Sequence, residues 1–329
     1  MSSRSRNSIV MAFALLIVAS PLGAQTPFTP FPAKPVRIIV PFAPGGASDS
    51  LPRLLGSRLV EMWGQQVVVD NRPGASGNIG MELASKAAPD GYTLTSAPNG
   101  NLVVNPHLYS KLSYDVFRDF TPITLIGSVQ NVLVVHPSIP AKTVKELIAL
   151  IKARPGELSF ASGGVGSQAH MGGELFKAMT GTNMTHVAYK GVGASLADVL
   201  GGHVPMIFAQ IPSVSPHIQS GKLRALGVAS TKRTTALPNV PTIAEAANLP
   251  GFEAVSWYAL VGPAGMQPAV ITRIQTDVAK VLQIQEIREK LTALGAEPVG
   301  STPEQLRTAM RTEYDRYGKL IQKLGVKAD

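Results

Sequence analysis

Short apolar runs alternate with amphipathic segments along the first hundred residues. The run Val36-Arg37-Ile38-Ile39-Val40 is rich in β-branched residues and stops at Pro41, which predicts a buried strand. From Ser48 to Trp63 apolar residues recur at helical spacing, and Gly64 marks the end of the helix. A strand over 66–70, a helix over 79–87 and a strand over 92–96 follow. This β-α-β-α-β order with short turns predicts a parallel, doubly wound sheet covered by helices.

The same alternation continues through the rest of the chain. Strands are predicted over 122–126, 132–136, 158–162, 186–189, 204–209, 223–228 and 297–299. Helices are predicted over 143–154, 167–179, 193–200, 214–220, 268–282, 285–294 and from 302 to about 324. Thr143 with Glu146, and Thr302 with Gln305, have the spacing of capping boxes. The alternation of strands and helices therefore indicates an α/β protein throughout.

The first 24 residues have the pattern of a secretory signal peptide. Arg4 and Arg6 precede an apolar stretch over 9–19, and Leu22-Gly23-Ala24 lies before a cleavage point at Gln25. As a membrane anchor this stretch would fall short of the ~20 residues that span a bilayer. We therefore expect export to a periplasm, without a lipid anchor, because no cysteine follows the cleavage point.

Composition fits a large globular protein with room for two domains. The chain has 329 residues, 45% of them hydrophobic, and it contains no cysteine, so its core must hold it together without disulfides.

Signal-peptide removal would lower the net charge from +9 to +7, and a positive protein attracts anions modestly. The positive charges are scattered, so nucleic acid is not an expected partner. The six histidines are dispersed and no H-E-x-x-H occurs, so neither a metal nor a cofactor is expected.

A glycine loop lies between the first predicted strand and its helix. It has the sequence Pro41-Phe42-Ala43-Pro44-Gly45-Gly46-Ala47-Ser48-Asp49. In open α/β sheets ligands bind beyond the carboxyl ends of strands, where free N–H groups at helix N-termini favour an anion. The loop therefore predicts a cradle for a carboxylate. An ordinary tight turn, with Ser48 or Asp49 as helix cap, is the alternative.

A second glycine loop repeats this context. It has the sequence Ser162-Gly163-Gly164-Val165-Gly166-Ser167-Gln168-Ala169-His170. The spacing of Gly164, Gly166 and Ala169 matches a dinucleotide fingerprint weakly, but no acidic residue lies near the ~20-residue offset that would bind a ribose. A second anion cradle is the better interpretation. His170 either reaches the ligand or packs in the core.

Further candidates follow other strands, and each has a structural alternative. Lys190, in Tyr189-Lys190-Gly191, either pairs with a carboxylate or is a solvated surface residue. Asn99 follows the third strand, and Trp257 is either a ligand contact or a core residue. A hydrolase would need G-x-S-x-G between strand and helix, and neither Ser162 nor Ser167 has glycines at both flanking positions.

Taken together, these motifs resemble those of tripartite tricarboxylate transporter receptors, the Bug-type binding proteins, and they cover essentially the whole mature chain. The matching segments are Phe31-Pro32-x-Lys34-Pro35 continuing to Asp49, Asn71-Arg72-Pro73-Gly74-Ala75-x-Gly77-Asn78-Ile79-Gly80, Lys86-x-x-Pro89-Asp90-Gly91-Tyr92-Thr93-Leu94, Gly166-Ser167-x-x-His170, Tyr189-Lys190-Gly191, Gly221-Lys222-Leu223-Arg224-Ala225-Leu226 and Leu237-Pro238-x-Val240-Pro241-Thr242.

The resemblance implies a two-lobed periplasmic-binding-protein fold of the Venus flytrap kind, type II-like, in which each lobe is a doubly wound sheet flanked by helices. Residues 25–127 plus 254–329 would form lobe 1, with the side taken by the last helix left open, and 128–253 lobe 2. The ligand would lie in the cleft between them. The candidate ligand-binding residues are Phe42, Ala43, Gly46, Ala47, Ser48, Asp49, Asn99, Ser162, Gly166, Ser167, His170, Tyr189, Lys190, Gln210 and Trp257.

The resemblance also implies a function without catalysis, in which a monomer captures a small organic carboxylate and delivers it to the permease subunits of a tripartite tricarboxylate-type transporter. Many relatives carry an acidic residue within the segment Phe208-Ala209-Gln210. Ala209 leaves a ligand amine without a partner, so a plain mono- or dicarboxylate is expected rather than an amino acid. The alternatives are an exported hydrolase or isomerase acting on a carboxylate, and a ligand-sensing subunit of a signalling system.

Overall fold

The framework of the molecule is a pair of β-sheets, seen in a computed structural model that describes residues 31–328. The strands are β1 (Val36–Val40), β2 (Val67–Asn71), β3 (Thr93–Pro98), β4 (Phe120–Val129), β5 (Asn131–Val135), β6 (Ser159–Ser162), β7 (Thr185–Ala188), β8 (Met206–Gln210), β9 (Arg224–Val228), β10 (Ser256–Pro263) and β11 (Ala296–Pro298).

Helices cover both faces of each sheet. They are α1 (Ala47–Trp63), α2 (Asn78–Ser85), α3 (Asn105–Leu108), α4 (Val144–Ala153), α5 (Gln168–Thr180), α6 (Val192–Leu200), α7 (Ile211–Gln219), α8 (Ile243–Ala247), α9 (Pro268–Gln283), α10 (Gln285–Ala293) and α11 (Pro303–Leu324). A π-helical turn, Gly100–Val104, leads directly into α3. Within residues 31–328, none of the helices combines the length and apolar character needed to cross a membrane.

The first lobe is built on a six-stranded sheet with the order β11-β4-β10-β3-β1-β2. Strand β1 pairs in parallel with β2 and β3, as the β-α-β pattern predicts. Strand β10 lies antiparallel between β3 and β4 and is buried along its whole length. Helices α1, α9 and α10 pack on one face of this sheet. Helix α11 packs on the other face through Leu306, Met310 and Tyr317.

The second lobe is built on a five-stranded sheet with the order β7-β6-β8-β5-β9. Strand β6 is parallel to β7 and β8, and β5 runs antiparallel between β8 and β9. Helices α4, α5 and α8 share one core with this sheet, and α7 packs in the other. Parallel strands β6 and β7 therefore end at the same edge, where the second glycine loop lies.

The chain passes between the lobes at two neighbouring points. Strand β4 ends at Val129 in the first sheet, and β5 begins at Asn131 in the second. The return segment leads into β10, and Asn131 joins the two passages because its Nδ2 donates to the carbonyl of Ala254 at 2.6 Å and to Oγ of Ser256 at 3.2 Å. Each sheet thus has an antiparallel strand, β10 or β5, that adjoins a passage.

The structure corrects several sequence predictions. Neither sheet is purely parallel, and β10, the π-helical turn with α3, and α8 were not predicted. Only half of the first capping box forms, because Glu146 accepts from the backbone N–H of Lys142 instead of that of Thr143. The box of Thr302 and Gln305 is complete. The predicted signal peptide lies outside the described residues.

Candidate functional site

The first glycine loop leads into α1 with its backbone donors uncapped. Gly46 is the N-cap residue, and neither Ser48 nor Asp49 places a side chain on the cap. The N–H groups of Asp49 and Ser50 bond the carbonyl of Gly46, at 3.0 and 2.9 Å. Among the described residues, the N–H groups of Ala47 and Ser48 have no acceptor, as the first turn of a helix dictates. Such free donors at a positive helix end suit an anion.

The buried carboxylate of Asp49 stabilises this loop by accepting hydrogen bonds. Asp49 is only 5% exposed, and its carboxylate accepts from Arg53 Nε at 2.9 Å, Asn71 Nδ2 at 2.9 Å and the N–H of Gly45 at 3.2 Å. Asn71 Nδ2 also donates to the carbonyl of Phe42 at 2.9 Å. Burial alone would raise the pKa of Asp49, but these hydrogen bonds lower it. The carboxylate is therefore ionised, and its hydrogen bonds hold the loop in its conformation.

A strained turn beside the first loop reaches across to the second lobe. Ala75 and Ser76 have φ angles of 46° and 53°, a left-handed conformation that non-glycine residues rarely adopt. The amide of Asn101 holds the turn by donating to the carbonyl of Ser76 at 2.9 Å. The hydroxyl of Ser76 donates to the carbonyl of Val165 at 3.4 Å. The turn therefore joins the two glycine loops.

The second glycine loop is shaped by bonds to its own backbone. Oγ of Ser167 caps α5 by accepting from the N–H of His170 at 3.3 Å. Nδ1 of His170 accepts in turn from the N–H of Gly166 at 3.2 Å. Gly166 has a φ of +81°, and a Cβ there would lie 2.6 Å from Oδ1 of Asn105 in the first lobe. Only glycine allows both this backbone conformation and this approach of the lobes.

Two histidines stack behind the second loop. The rings of His170 and His186 lie 4.0 Å apart, and Phe160 stacks on the far side of His186 at 5.0 Å. Nε2 of His186 is 2.7 Å from Oγ of Ser162. Burial lowers the pKa of His170 to about 3 and that of His186 to about 4. The histidines are dispersed in sequence, but these two are neighbours in the fold.

The remaining candidates lie at different depths. Asn99 is fully buried at the end of β3, and Lys190 is exposed. The hydroxyl of Tyr189 donates to Asp198 at 2.5 Å, which raises the pKa of Tyr189 to about 12. Gln210 Nε2 donates to the hydroxyl of Tyr258 at 2.6 Å. Trp257 is 7% exposed and packs in the core of the first lobe.

The structure thus links the two loops through the turn at Ser76, since Ser76 bonds Val165 and a Cβ at the adjacent Gly77 would lie 3.1 Å from the ring of Phe42. Gly100, next to Asn99, abuts the second loop, since a Cβ at Gly100 would lie 3.1 Å from the carbonyl oxygen of Gly166. Sequence reasoning missed Ser76, Asn101 and His186. A usable signal for Asn101 was present, because polar asparagines interrupt an otherwise apolar segment over 97–108. Among residues 31–328 there is no cluster of three or more side chains suited to a metal.

Comparison with known proteins identifies the family. The family model described as "Tripartite tricarboxylate transporter family receptor" matches residues 51–326. Protein BugT of Bordetella pertussis is 40% identical over 311 residues, which cover 94% of each chain. This agrees with the motifs along the whole mature chain.

Solved structures give the same result. "R. palustris Rpa4515 with adipate" superposes with a TM-score of 0.84 at 37% identity, covering 90% of this chain and 99% of that one. "MatC (Rpa3494) from Rhodopseudomonas palustris with bound malate" superposes with a TM-score of 0.80 at 30% identity, covering 88% and 100%. The chain belongs to the receptor family of the tripartite tricarboxylate transporters.

Proposed function

We propose that this receptor binds a small organic carboxylate between its two glycine loops and releases it to the permease subunits of its transporter. The observation that carries the proposal is the pair of free N–H groups at Ala47 and Ser48, at the mouth of α1. Ser76 joins this region to the second loop through Val165. A carboxylate held there would receive hydrogen bonds from backbone donors that have no other acceptor.

The ligand class follows from the surroundings of the loops. Similar receptors hold adipate and malate, which are both dicarboxylates, and this supports a mono- or dicarboxylate here. At the end of β8, Ala209 is buried and apolar, and Gln210 is bonded to Tyr258, so this segment offers no carboxylate to a ligand amine. We therefore favour a plain organic acid over an amino acid.

Closure of two lobes is the proposed mechanism of capture. The lobes, 25–127 plus 254–329 and 128–253, would rotate about the two neighbouring passages that Asn131 joins. The last helix would move with the first lobe, since its apolar face packs there. Capture needs one chain only, so we propose a monomer.

The receptor is proposed to act without catalysis. A Ser–His contact does exist, since Ser162 lies 2.7 Å from His186, and this is the observation that a hydrolase would require. However, Ser162 is fully buried, and its Oγ also bonds the backbone of Gly164. Incubation of the receptor with any acid that it binds, followed by proton NMR, tests this point. Steady conversion of the acid would favour the enzyme.

A thermal-shift screen of organic acids tests the carboxylate proposal. The chain from Gln25 onward is purified and heated with mono-, di- and tricarboxylates, and hits are measured by calorimetry. We expect at least one acid to raise the melting temperature. A complete absence of such an acid contradicts the proposal.

A bulky substitution in the first loop then locates the site. Gly46 has an extended backbone, and an added Cβ would meet only Oγ of Ser48, at 3.8 Å, so Gly46→Val is compatible with the fold. We expect this variant to melt normally and to lose ligand binding, because the side chain fills the mouth of α1. Ala293→Val, at the exposed end of α10, is the control. Normal affinity in Gly46→Val excludes the first loop.

Export and delivery are tested in cells. We propose that the first 24 residues are removed and that the mature protein is free in the periplasm, so N-terminal sequencing of the periplasmic fraction should begin at Gln25. Deletion of the gene should abolish uptake of the bound acid. Unchanged uptake, combined with loss of a transcriptional response to the acid, would favour the sensing subunit.

A further inference from the structure

Two buried amide side chains at the boundary between the lobes each leave one hydrogen-bonding atom unpaired. Asn99 is fully buried, and its Nδ2 donates to the carbonyl of Val255 at 3.1 Å, while its Oδ1 has no partner among the described residues. Gln168 is 9% exposed, and its Oε1 accepts from the hydroxyl of Tyr317 at 3.1 Å, while its Nε2 has no partner among the same residues. Buried polar atoms of this kind are normally satisfied.

One face of α11 holds both amides. The side chain of Asn99 lies beside the carboxyl group of Glu313, and Gln168 is bonded to Tyr317. Glu313 and Tyr317 are one helical turn apart, so their side chains lie about 5–6 Å from each other. Asn99 comes from the first lobe and Gln168 from the second, directly after the second glycine loop. Both side chains are therefore brought to one stretch of α11, beside the proposed ligand site.

A single group that pairs with both atoms must be able to give and to accept a hydrogen bond. Oδ1 of Asn99 needs a donor and Nε2 of Gln168 needs an acceptor, and a hydroxyl group supplies both. An ionised carboxylate has no proton for Asn99, and it would lie near the carboxyl group of Glu313. A neutral hydroxyl therefore fits this place better than a second carboxylate.

We propose that Asn99 and Gln168 form a subsite that recognises a hydroxyl group of the ligand, so the receptor prefers a hydroxy acid to the acid of equal length without the hydroxyl. Tyr317 is a positioning residue, because it orients Gln168 without touching the ligand. This inference rests on the proposed carboxylate function. It adds a second recognised group of the ligand, a hydroxyl, to the carboxylate.

Matched pairs of acids test the subsite by calorimetry on the unmodified receptor. The pairs are lactate and propionate, malate and succinate, and 2-hydroxyadipate and adipate. In the pair whose length fits, we expect the hydroxy acid to bind on the order of tenfold tighter or better, because a site that bonds a hydroxyl rejects the analogue lacking it. Equal affinities within every pair that binds would overturn the subsite and leave the carboxylate function standing. Failure of all organic acids to bind would overturn both.

The variant Gln168→Met then assigns the preference to this side chain. Methionine has a similar shape and no donor, so we expect the ratio of hydroxy-acid to plain-acid affinity to fall towards one. Gln219→Met, on the exposed end of α7, is the control and should retain the preference. Tyr317→Phe should reduce the preference partly. A full preference in Gln168→Met would overturn the assignment, whatever the effect on melting temperature.

Discussion

Ser162 and His186 are joined by a 2.7 Å contact between Oγ and Nε2, at the base of the second glycine loop. The same hydroxyl also bonds the N–H of Gly164 at 3.1 Å. Nε2 of His186 either accepts from this hydroxyl or donates to it, and the ring stacks on that of His170, which is buried. The conformation of the loop therefore depends on two neutral imidazoles.

The pH dependence of stability follows from these imidazoles. Burial lowers their pKa values to about 3 for His170 and about 4 for His186, with the charge of Lys177 acting in the same direction. Between pH 6.5 and about 4 the unfolded chain binds protons that the folded chain does not, so stability falls as the pH is lowered through this window. Above pH 7 both groups are neutral in either state and contribute no slope.

Urea unfolding at pH 7.5, 6 and 5 measures this slope. His186→Gln should flatten it, because glutamine carries no titrating group and can still bond Ser162. His203→Gln, at an exposed position, should leave the slope nearly as it is. An unchanged slope in His186→Gln would contradict the assignment.

Asp49→Ala should lower both the stability of the protein and its affinity for the ligand, because Asp49 holds the first loop in place. The substitution removes the acceptor shared by Arg53, Asn71 and Gly45, so we expect a loss of about 1–3 kcal/mol in the free energy of unfolding and a clear loss of ligand affinity. Glu61→Ala breaks an exposed ion pair with Arg58 and should change stability by at most about 1 kcal/mol. Chemical unfolding and calorimetry give both numbers. Full affinity in Asp49→Ala would show that the loop keeps its shape without this carboxylate.

A comparison of Gly166→Ala with Gly221→Ala should distinguish the effect of backbone strain from the effect of contact between the lobes. Gly166 and Gly221 both have positive φ angles, +81° and +71°, so alanine at either position is expected to cost roughly 1–2 kcal/mol of stability. Only at Gly166 would the new Cβ meet the other lobe, since nothing lies within 4 Å of a Cβ at Gly221. Ligand affinity, measured by calorimetry, should therefore fall in Gly166→Ala alone. Equal affinities in the two variants would mean that closure does not bring these loops together.

Thr302→Ala should destabilise the last helix. Its hydroxyl accepts from the N–H of Gln305 in a complete capping box, and loss of such a cap costs about 0.5–2 kcal/mol. Thr308→Ala, exposed within the same helix, should change stability by no more than about 0.5 kcal/mol. The difference between the two unfolding free energies isolates the cap, and a difference near zero would mean that packing alone fixes the start of α11.

Local patterns located most elements of this fold. The predicted strand and helix that flank the first loop agree with the structure within a residue, because β-branched runs and helical spacing act over short distances. Strand β10 was missed, because Ser256–Pro263 is buried throughout, so its largely apolar sequence does not alternate, and its partners β3 and β4 are distant in sequence. A continuous apolar run does not reveal whether it forms a strand or a helix.

The glycine loops were also found from sequence, but the contacts between the lobes beside the second loop were not. Ser76 and Val165 are 89 positions apart, and Gln168 and Tyr317 are 149 apart. Neither pair leaves a spacing pattern, since each depends on how the lobes pack. The histidine pair was also missed, because its members lie on two different elements of the second lobe, α5 and β7. A single sequence therefore predicted the two loops more readily than the side chains of other elements that pack against them.

The free donors of the first loop belong to the main chain, at Ala47 and Ser48. Backbone amides do not change when a side chain mutates, provided that the loop keeps its course. If an acid is bound there as proposed, a duplicated gene could exchange the residues that line the rest of the cleft and acquire a new nutrient while still binding acids. The same property would make the scaffold practical to redesign as a sensor for other organic acids.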